Sequence, residues 1–469
     1  MLDSTDNCLK AFSNFLKEKE TTLRQQESLN SLVSIKLPSV DFNAANLLYS
    51  LIQKNDRLFF YENADKNFSM LGIGLVLDFS ENGLGRLSSL NKKIQDLKKK
   101  VISNWIEYKN ELPLICGAMK FTAEHSKEEW QDFYDSDWFI PEFILVKKLE
   151  EYHFVYNFLN KNSSQKKIED KFTLRLKELF ELTSTHENKT PKILNTEGIS
   201  VKDKKKWKLL VKNSIDKLTE QEISKLVLSR RVVLKLTDQP DWDSLLKYFR
   251  SNYPTSYIYL YHKNNSTFFG ASPERLIKFH QKEITIDVIA GSLPRGIDEQ
   301  EDKLLEEQMS LSKKLNSEHE LVLHQVKKSI SRFVSKIYSN RVPFKKLKEV
   351  QHLHTVLKSE MAADVKMLEI VESIFPTAAV CGEPKDKSLS LIKKIEDYDR
   401  GLYSGLIGYF NLDDEGEFIV AIRSALYIQN KVYAYAGVGI LEESDPEIEF
   451  KETELKLKTI LNFFDDKSK

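Results

Sequence analysis

The acidic segment 442–456, EESDPEIEFKETELK, is the densest group of residues able to do chemistry. It holds seven carboxylates, and Asp445 is placed to cap a helix that begins at Pro446. On that helix Glu449 and Glu452 lie three residues apart and share a face. Two carboxylates on one face suit Mg²⁺, which binds oxygen ligands and keeps water in its other positions. The alternative is a solvated, acidic helix start that the helix dipole favours.

Four side chains elsewhere have chemistry that depends on their surroundings. Lys225 stands where a helix gives way to an apolar strand. If it is buried, desolvation favours its neutral form and makes it a usable general base; otherwise it extends to water. Glu274, in FFGASPERL, follows a strand and a Ser-Pro turn, and a turn carboxylate paired with Arg275 is one interpretation that the residues leave open. Glu318, in SEHELVLHQV, is read as a surface residue, which is the usual place of a lone glutamate beside a histidine in a helix. The spacing is not the HExxH of a zinc protease. His352, in VQHLHTVL, is read as a structural histidine.

Two glycine-containing turns bring the backbone close to whatever lies over them. They are AGSLPRG, 290–296, with Gly291 and Ser292, and AGVGI, 436–440, with Gly437 and Gly439. Because glycine has no side chain, such a turn exposes backbone N–H groups to a ligand carboxylate, or it is simply a tight turn. The residues alone leave both interpretations open.

The elements that would position these residues alternate in runs. The pattern predicts one long or two stacked helices over 298–337, a closing helix over 446–464, and strands at 226–236, 257–261, 284–289, 406–410, 418–422 and 432–436. Upstream it predicts one amphipathic helix over 5–35 with Leu9, Phe12, Leu16, Leu23 and Leu29 inward, strands at 71–77 and 143–149, and a polar linker at 183–206. Strands in runs, with helices grouped between them, indicate an α+β fold.

The composition of the 469-residue chain excludes several classes of protein. Lys plus Arg and Asp plus Glu are both 70, so no net charge draws the chain to nucleic acid. The three cysteines are far apart, which argues against a disulfide scaffold and a zinc site. No signal peptide pattern opens the chain and no run approaches about 18 apolar residues, so we expect a cytoplasmic protein without a membrane span.

Taken in order, the chemistry-bearing segments resemble the chorismate-utilising enzymes, and most closely the isochorismate synthases. The resemblance spans residues 225–453 and is carried by KLVLSRR, GASPERL, IAGSLPRG, SEHELV, VQHL, FPTAAVCGEPK, RGLYSGLIGYF, IVAIRSALY and AYAGVGILEESDPEIEFKET. A weaker likeness continues upstream in LICGAMKF, 114–121, and WFIPEFIL, 138–145. The resemblance implies an α+β sandwich of two packed antiparallel sheets with helices outside. It also implies a divergent N-terminal part at 1–200 and a chorismate-binding catalytic core at 214–465.

The resemblance also assigns roles residue by residue. Lys225 matches the general base and Glu274 the general acid. Glu318 and Glu452 match the two Mg²⁺ ligands, and Glu449 an acidic group that acts through metal-bound water. The remaining matches line the substrate pocket: Gly291, Ser292, His352, Ala379, Tyr403, Arg423, Gly437, Gly439 and Lys456. One departure is Leu315, where several relatives carry an acid that holds a metal-bound water.

The implied reaction is the Mg²⁺-dependent isomerisation of chorismate to isochorismate. Water attacks C2 while the C4 hydroxyl leaves, so the attacking water needs a base and the leaving hydroxyl an acid. Isochorismate synthases resemble this chain in having alanine at position 379, where ammonia-using relatives and salicylate synthases usually have threonine. Aminodeoxychorismate synthases carry lysine at the position of Ala290. The alternatives are a salicylate synthase and a non-catalytic chorismate-binding protein on the same fold.

The resemblance sets further expectations about partners and pathway. The substrate is the small molecule chorismate, with neither nucleic acid nor membrane as a partner. We expect a monomer that works without an amidotransferase subunit, although the sequence carries no direct signal of oligomeric state. The sequence does not decide whether the product feeds menaquinone, siderophore or salicylate biosynthesis.

Overall fold

The computed structural model describes residues 2–26, 30–40, 46–106, 112–123, 128–161, 164–182, 191–220 and 222–465. In chain order the strands are β1 Leu32–Leu37, β2 Arg57–Glu62, β3 Phe68–Ile73, β4 Leu77–Asp78, β5 Val101–Ser103, β6 Ile115–Met119, β7 Ser136–Ile140, β8 Phe143–Lys148, β9 Glu151–Leu159, β10 Ile193–Glu197, β11 Lys225–Leu236, β12 Tyr257–Lys263, β13 Ser266–Ser272, β14 Arg275–His280, β15 Glu283–Pro294, β16 Tyr338–Lys346, β17 Val350–Glu360, β18 Gly382–Glu383, β19 Leu406–Phe410, β20 Gly416–Val420, β21 Ser424–Ile428 and β22 Lys431–Ile440.

The helices of the described chain are α1 Leu2–Glu18, α2 Glu20–Gln25, α3 Leu48–Lys54, α4 Arg86–Lys98, α5 Gln165–Phe180, α6 Val201–Glu220, α7 Trp242–Asn252, α8 Glu299–Leu311, α9 Lys313–Ile330, α10 Met367–Ile374, α11 Lys385–Ile395 and α12 Pro446–Phe464. Within these described ranges no helix combines the length and the apolar character that crossing a bilayer would require.

The strands form two sheets, as the predicted α+β sandwich requires. The larger has the order β10-β11-β22-β21-β13-β12-β2-β3-β8-β9-β1-β5, with β18 also paired to β11. The smaller has the order β16-β17-β15-β14-β20-β19-β6-β7-β4. Neighbouring strands are antiparallel apart from β1 and β5, which run parallel. Both sheets combine strands from the two halves of the chain, and the division at 200–214 stays a prediction.

Aromatic side chains fill the space between the two sheets. The Tyr61 ring of β2 meets the Tyr409 ring of β19 edge-on at 5.2 Å, and Phe139 of β7 stacks on Tyr261 of β12 at 5.8 Å. Such ring pairs bury a large apolar area in preferred geometries, so the sheets are packed face to face. A second apolar cluster lies between the outer face of the larger sheet and helices α1, α3, α5, α7 and α12.

The N-terminal helix is shorter than the pattern predicted. The prediction of one helix over 5–35 is wrong because β1 occupies 32–37, where it pairs with β9. Phe12 and Leu16 are buried as expected, and Leu9 and Leu23 pack partly against the same cluster. Leu29 lies outside the described residues. The spacing of Leu32, Val33 and Ile35 is compatible with a strand as well as a helix. Pairing with β9, which is distant in the sequence, makes this segment a strand.

The predicted linker at 183–206 is also wrong over its described part. Residues 183–190 lie outside the described chain, but strand β10 and the start of helix α6 occupy the rest. β10 is an edge strand whose hydrogen bonds go to β11. The predicted strand at 71–77 ends at Ile73, because Gly74 turns the chain with a φ of 72°. The strand beginning at Lys225, the two helices within 298–337 and the closing helix are confirmed.

Candidate active site

One cavity of about 70 Å³ gathers the predicted site residues. Every one of them except Glu449 lines it, although they come from positions 225 to 456. The walls are the starts of β11, α9 and β17, the ends of β15 and β22, the middle of α12, the turn after β13, and the segments before β18, β19 and β21. Further residues line the cavity that the sequence analysis did not identify: Val227, Pro273, Ile289, Val380, Ser404, Ile422, Tyr435 and Val438.

Lys225 is the first residue of β11 and is buried inside this cavity. Its side chain is 1% exposed, and its Nζ lies 2.9 Å from Glu318 Oε1. Gly439 on β22 is what allows this contact. A Cβ there would lie 2.7 Å from Glu318 Oε1 and 2.8 Å from Lys225 Cε, too close for either side chain to stay. Gly439, which the sequence predicts to lie close to a neighbouring group, therefore leaves room for the Lys225 and Glu318 side chains.

Glu274 lies in the turn between β13 and β14, where it is 5% exposed. Its backbone is fixed, since its N–H donates to Ser272 Oγ at 3.2 Å and its carbonyl accepts from Val420 N at 3.1 Å. Burial raises the pKa of the Glu274 carboxyl to about 8, and the positive charge of Lys225 only partly opposes this. At neutral pH the group is therefore protonated and able to donate its proton.

Three carboxylates on α9 and α12 each have a lysine partner. Besides the Lys225–Glu318 pair, Lys456 Nζ lies 2.7 Å from Glu452 Oε1. Burial alone would raise the pKa of Glu318, but Lys225 overcomes this and holds that pKa below its usual value. Ser312 caps α9 by accepting from Leu315 N. Asp445 caps α12 by accepting two backbone N–H groups, as predicted, which fixes Glu452 relative to the cavity.

Glu449 lies beside the cavity and not in its wall. It is 2% exposed and bonded by Lys314 Nζ, 3.0 Å from its Oε1. Burial and the neighbouring Glu452 raise the pKa of Glu449. Lys314 was missed by sequence reasoning, because it is 135 positions away from its partner and no local pattern joins the two.

The donor set that faces the cavity suits Mg²⁺. In the described part of the chain no three His, Cys, Asp or Glu residues are gathered into a closed metal cage. Glu318 and Glu452 nevertheless line the same cavity and offer hard oxygen ligands. Mg²⁺ is typically held by one or two carboxylates and completes its octahedron with water and substrate oxygens. Two carboxylates with displaceable lysine partners fit this mode of binding.

Positive and neutral polar groups form another part of the wall. Arg423 Nη2 lies 3.3 Å from His352 Nε2, and Ser292 Oγ lies 2.9 Å from His352 Nδ1. Burial, together with the charges of Arg423 and Lys456, holds the pKa of His352 well below its ordinary value. The imidazole is therefore neutral at physiological pH. Two cations around a neutral ring make this wall suited to an anionic ligand.

The second glycine turn also has a packing reason. Lys456 Nζ donates to the Gly437 carbonyl at 2.9 Å, which ties α12 to β22. A Cβ at Gly437 would lie 2.8 Å from the Tyr403 hydroxyl, so a larger residue would displace this tyrosine from the cavity. The Tyr403 ring stacks on Tyr435 at 5.0 Å. Glycine at 437 is therefore required by the packing of Tyr403 against β22.

Comparison with known proteins identifies the family. The family described as chorismate binding enzyme matches residues 14–465. The chain belongs to this family. Isochorismate synthase MenF of Bacillus subtilis is 26% identical over 465 residues, which cover 96% of this chain and 97% of that protein. The salicylate biosynthesis isochorismate synthase of Pseudomonas aeruginosa is 28% identical over 74% of this chain and 73% of its own.

Solved structures agree on the fold. The menaquinone-specific isochorismate synthase MenF from Escherichia coli superposes with a TM-score of 0.77 at 20% identity, covering 95% of this chain and 98% of that one. Anthranilate synthase component I from Streptococcus pneumoniae has a TM-score of 0.68 at 22% identity. This chorismate binding enzyme therefore has the predicted sandwich, and the likeness to both relatives shows the fold alone.

Proposed function

We propose that this chorismate binding enzyme is an isochorismate synthase, an isomerase that converts chorismate to isochorismate. The observation that carries the proposal is a buried lysine and a protonated glutamic acid lining one small cavity together with two cations. Substitution of a ring hydroxyl by water needs a base and an acid at the same time. The full-length likeness to an isochorismate synthase supports the same reaction.

Glu274 is the general acid of this proposal. The leaving C4 hydroxyl needs a proton, and a carboxyl with a pKa near 8 keeps its proton at neutral pH. Its fixed backbone and buried position keep bulk water from competing for that proton. The group is thus set for donation by its surroundings, in the way that other buried catalytic acids are tuned.

Lys225 is the general base, and Glu318 controls its availability. The lysine must lose its proton and its contact with Glu318 before it accepts a proton from the attacking water. Glu318 and Glu452 are the residues that would hold Mg²⁺, whose charge would bind a substrate carboxylate and stabilise negative charge on it. Glu318 would then be engaged away from Lys225, which leaves the amine free to act.

The cationic wall binds the substrate. Chorismate carries two carboxylates, and Arg423 and Lys456 supply positive charge within the cavity. The neutral His352 ring, oriented by Ser292, offers a hydrogen bond without adding charge. Ala379 leaves room on the cavity wall for a water molecule as nucleophile. A cavity of about 70 Å³ is small for such a ligand, so binding must displace the lysine–glutamate contacts or widen the walls.

The partners and location follow the same proposal. The chain acts alone, as a monomer without an amidotransferase subunit, in the cytoplasm. Cys8, Cys116 and Cys381 are buried and unpaired with one another, which suits a reducing compartment. Light scattering of the purified chain tests the monomer directly, because a dimer would double the measured mass.

The decisive test is incubation of the purified chain with chorismate and Mg²⁺, followed by chromatography and mass spectrometry. A new compound with the mass of chorismate and the retention of isochorismate supports the proposal. Salicylate with pyruvate would establish a salicylate synthase instead, and binding without turnover would establish a non-catalytic chorismate-binding protein. A chelator should stop the reaction, and added Mg²⁺ should restore it. Turnover that persists in chelator would remove the metal from the account.

A further inference from the structure

A buried ion pair outside the cavity holds two of the cavity walls together. Arg400, in the turn before β19, and Glu396, at the end of α11, each have side chains that are 3% exposed. Arg400 Nε donates to Glu396 Oε2 at 2.8 Å and Nη2 to Oε1 at 2.6 Å. A bidentate pair of this kind fixes the plane of the guanidinium group.

The remaining donors of Arg400 bind backbone carbonyls of cavity-lining residues. Nη1 donates to the Val380 carbonyl at 2.9 Å, and Nη2 donates to the Val227 carbonyl at 2.7 Å. Val227 stands two residues after Lys225, and Val380 directly follows Ala379. The guanidinium thus joins the strand that carries the proposed base to the segment that carries the small wall residue.

Glu396 makes the connection from the other side. Its Oε1 accepts from the Ser229 backbone N–H at 2.7 Å, and the Ser229 hydroxyl lies 2.8 Å from the Tyr398 hydroxyl. The two joined segments also bond directly, since Val227 N donates to the Cys381 carbonyl at 2.9 Å. Two residues with no atom in the substrate cavity therefore fix β11 and the 379–381 segment in one arrangement.

We propose that Arg400 is a positioning residue that, through the Val227 and Val380 carbonyls, sets the separation of Lys225 and Ala379 and so the place of the attacking water. This proposal rests on the proposed isochorismate synthase function. A displacement of about 1 Å at a reacting group costs on the order of 100-fold in rate even when its origin lies away from the chemistry. Within the described structure neither Arg423 nor Lys456 is hydrogen-bonded to the Arg400 side chain, so we expect chorismate binding to change little when that side chain is removed.

A second cavity offers a way to test Arg400 chemically. It has a volume of about 730 Å³, and Arg400 and Glu396 are among its lining residues. The Arg400 guanidinium is therefore accessible from this second cavity and not from the substrate cavity. In Arg400→Ala, free guanidinium ion can enter by this route and occupy the space that the side chain leaves.

The experiment measures kcat and KM for chorismate with Mg²⁺, well below the unfolding temperature of each variant. For Arg400→Ala we expect kcat to fall by about 100-fold with KM within twofold of wild type. Low millimolar guanidinium, far below denaturing concentrations, should raise the kcat of Arg400→Ala at least tenfold. Arg400→Lys keeps the charge without the fork geometry, so its kcat should fall in the same way. This variant carries the test if Arg400→Ala does not fold.

Arg57→Ala is the matched control. Arg57 is also a buried, ion-paired arginine, bonded to Asp78 and Asp137, and neither it nor its partners line the substrate cavity. It should lose stability but keep kcat, and guanidinium should leave its kcat unchanged. Arg400→Lys with wild-type kcat, a loss that appears in KM alone, or an equal kcat loss in Arg57→Ala would each overturn the proposal. If wild type makes no isochorismate, the proposed function itself fails and this inference fails with it.

Discussion

Two buried groups of charges in this chain solve the problem of charge burial in different ways. Between the sheets, Asp137 is fully buried and accepts from Arg57, Lys263, the Tyr261 hydroxyl, the Ser80 hydroxyl and a backbone N–H. In the substrate cavity, Lys225 has one carboxylate partner among the described residues, Glu318. No hydrogen bond or ion pair from the described residues reaches the Glu274 carboxyl.

The difference separates charges that hold the fold from charges that can react. A carboxylate with several donors is stabilised as an anion and is committed to its contacts. A carboxyl that is buried without donors keeps its proton, and a lysine with a single displaceable partner can be released. The energetic cost of the second arrangement is tolerated where function requires it. Four substitutions test whether the two groups really differ in this way.

Lys225→Ala should have the largest effect on activity. Removing the base should lower kcat by about 10²–10⁴-fold while leaving chorismate binding within a few fold, because Arg423 and Lys456 remain. Steady-state rates and calorimetric binding of chorismate measure the two quantities. An equal loss of binding would show that the lysine holds the substrate and is not a base.

Glu274→Gln should have the second largest effect on activity, and the pH dependence of kcat in wild type should identify the acid. The glutamine cannot donate a proton, so we expect a loss of about 10²–10³-fold in kcat. In wild type, kcat should decline as the pH rises through about 8, because the Glu274 carboxyl then loses the proton that it must donate. A wild-type profile that is flat across this range would contradict the assignment of the acid.

The same substitution should change stability in a pH-dependent way. The pKa of Glu274 is raised on folding, so the folded state binds a proton that the unfolded state releases above its ordinary pKa. Wild-type stability therefore falls as the pH rises from about 4.5 to about 8. Glu274→Gln should escape this loss and gain on the order of 4 kcal/mol relative to wild type over that interval. Denaturant unfolding at pH 5 and pH 8 measures it.

Lys314→Met should have a smaller effect, confined to the metal. Lys314 favours the ionised form of the buried Glu449, so without this lysine Glu449 keeps a proton and cannot bond a metal-bound water as an anion. We expect about two- to fivefold weaker Mg²⁺ binding, which corresponds to about 0.5–1 kcal/mol. Calorimetric titration with Mg²⁺ in the absence of chorismate gives the affinity. Tighter binding would mean that Glu449 stays ionised without Lys314.

Lys263→Met should have the smallest effect on activity. It removes one donor from Asp137, 2.5 Å away, and should lower the free energy of unfolding by about 3–5 kcal/mol. Below the unfolding temperature kcat should stay within twofold of wild type, since Lys263 does not line the cavity. A catalytic loss as large as that of Lys225→Ala would break the distinction between the two groups.

The sequence anticipated the residues of the site better than the contacts among them. The Asp445 cap and the strand at Lys225 follow from local patterns, and the structure has both. The Lys225–Glu318 contact and the pairing of β10 with β11 were not predictable, because each joins segments through the folded core. Arg400 lay within a segment that carried the resemblance, but nothing in the sequence indicated that its donors would bind Val227 and Val380.

The most direct test of the central claim, that Lys225 activates water for addition at C2, is turnover in H₂¹⁸O with Mg²⁺. Isochorismate formed by wild type should carry one ¹⁸O at C2, and its mass should exceed that of chorismate by the difference between the two oxygen isotopes. Lys225→Ala should form this labelled product at least about 10²-fold more slowly than wild type. Isochorismate without label would mean that the hydroxyl migrates within the substrate, and it would contradict the role given to Lys225.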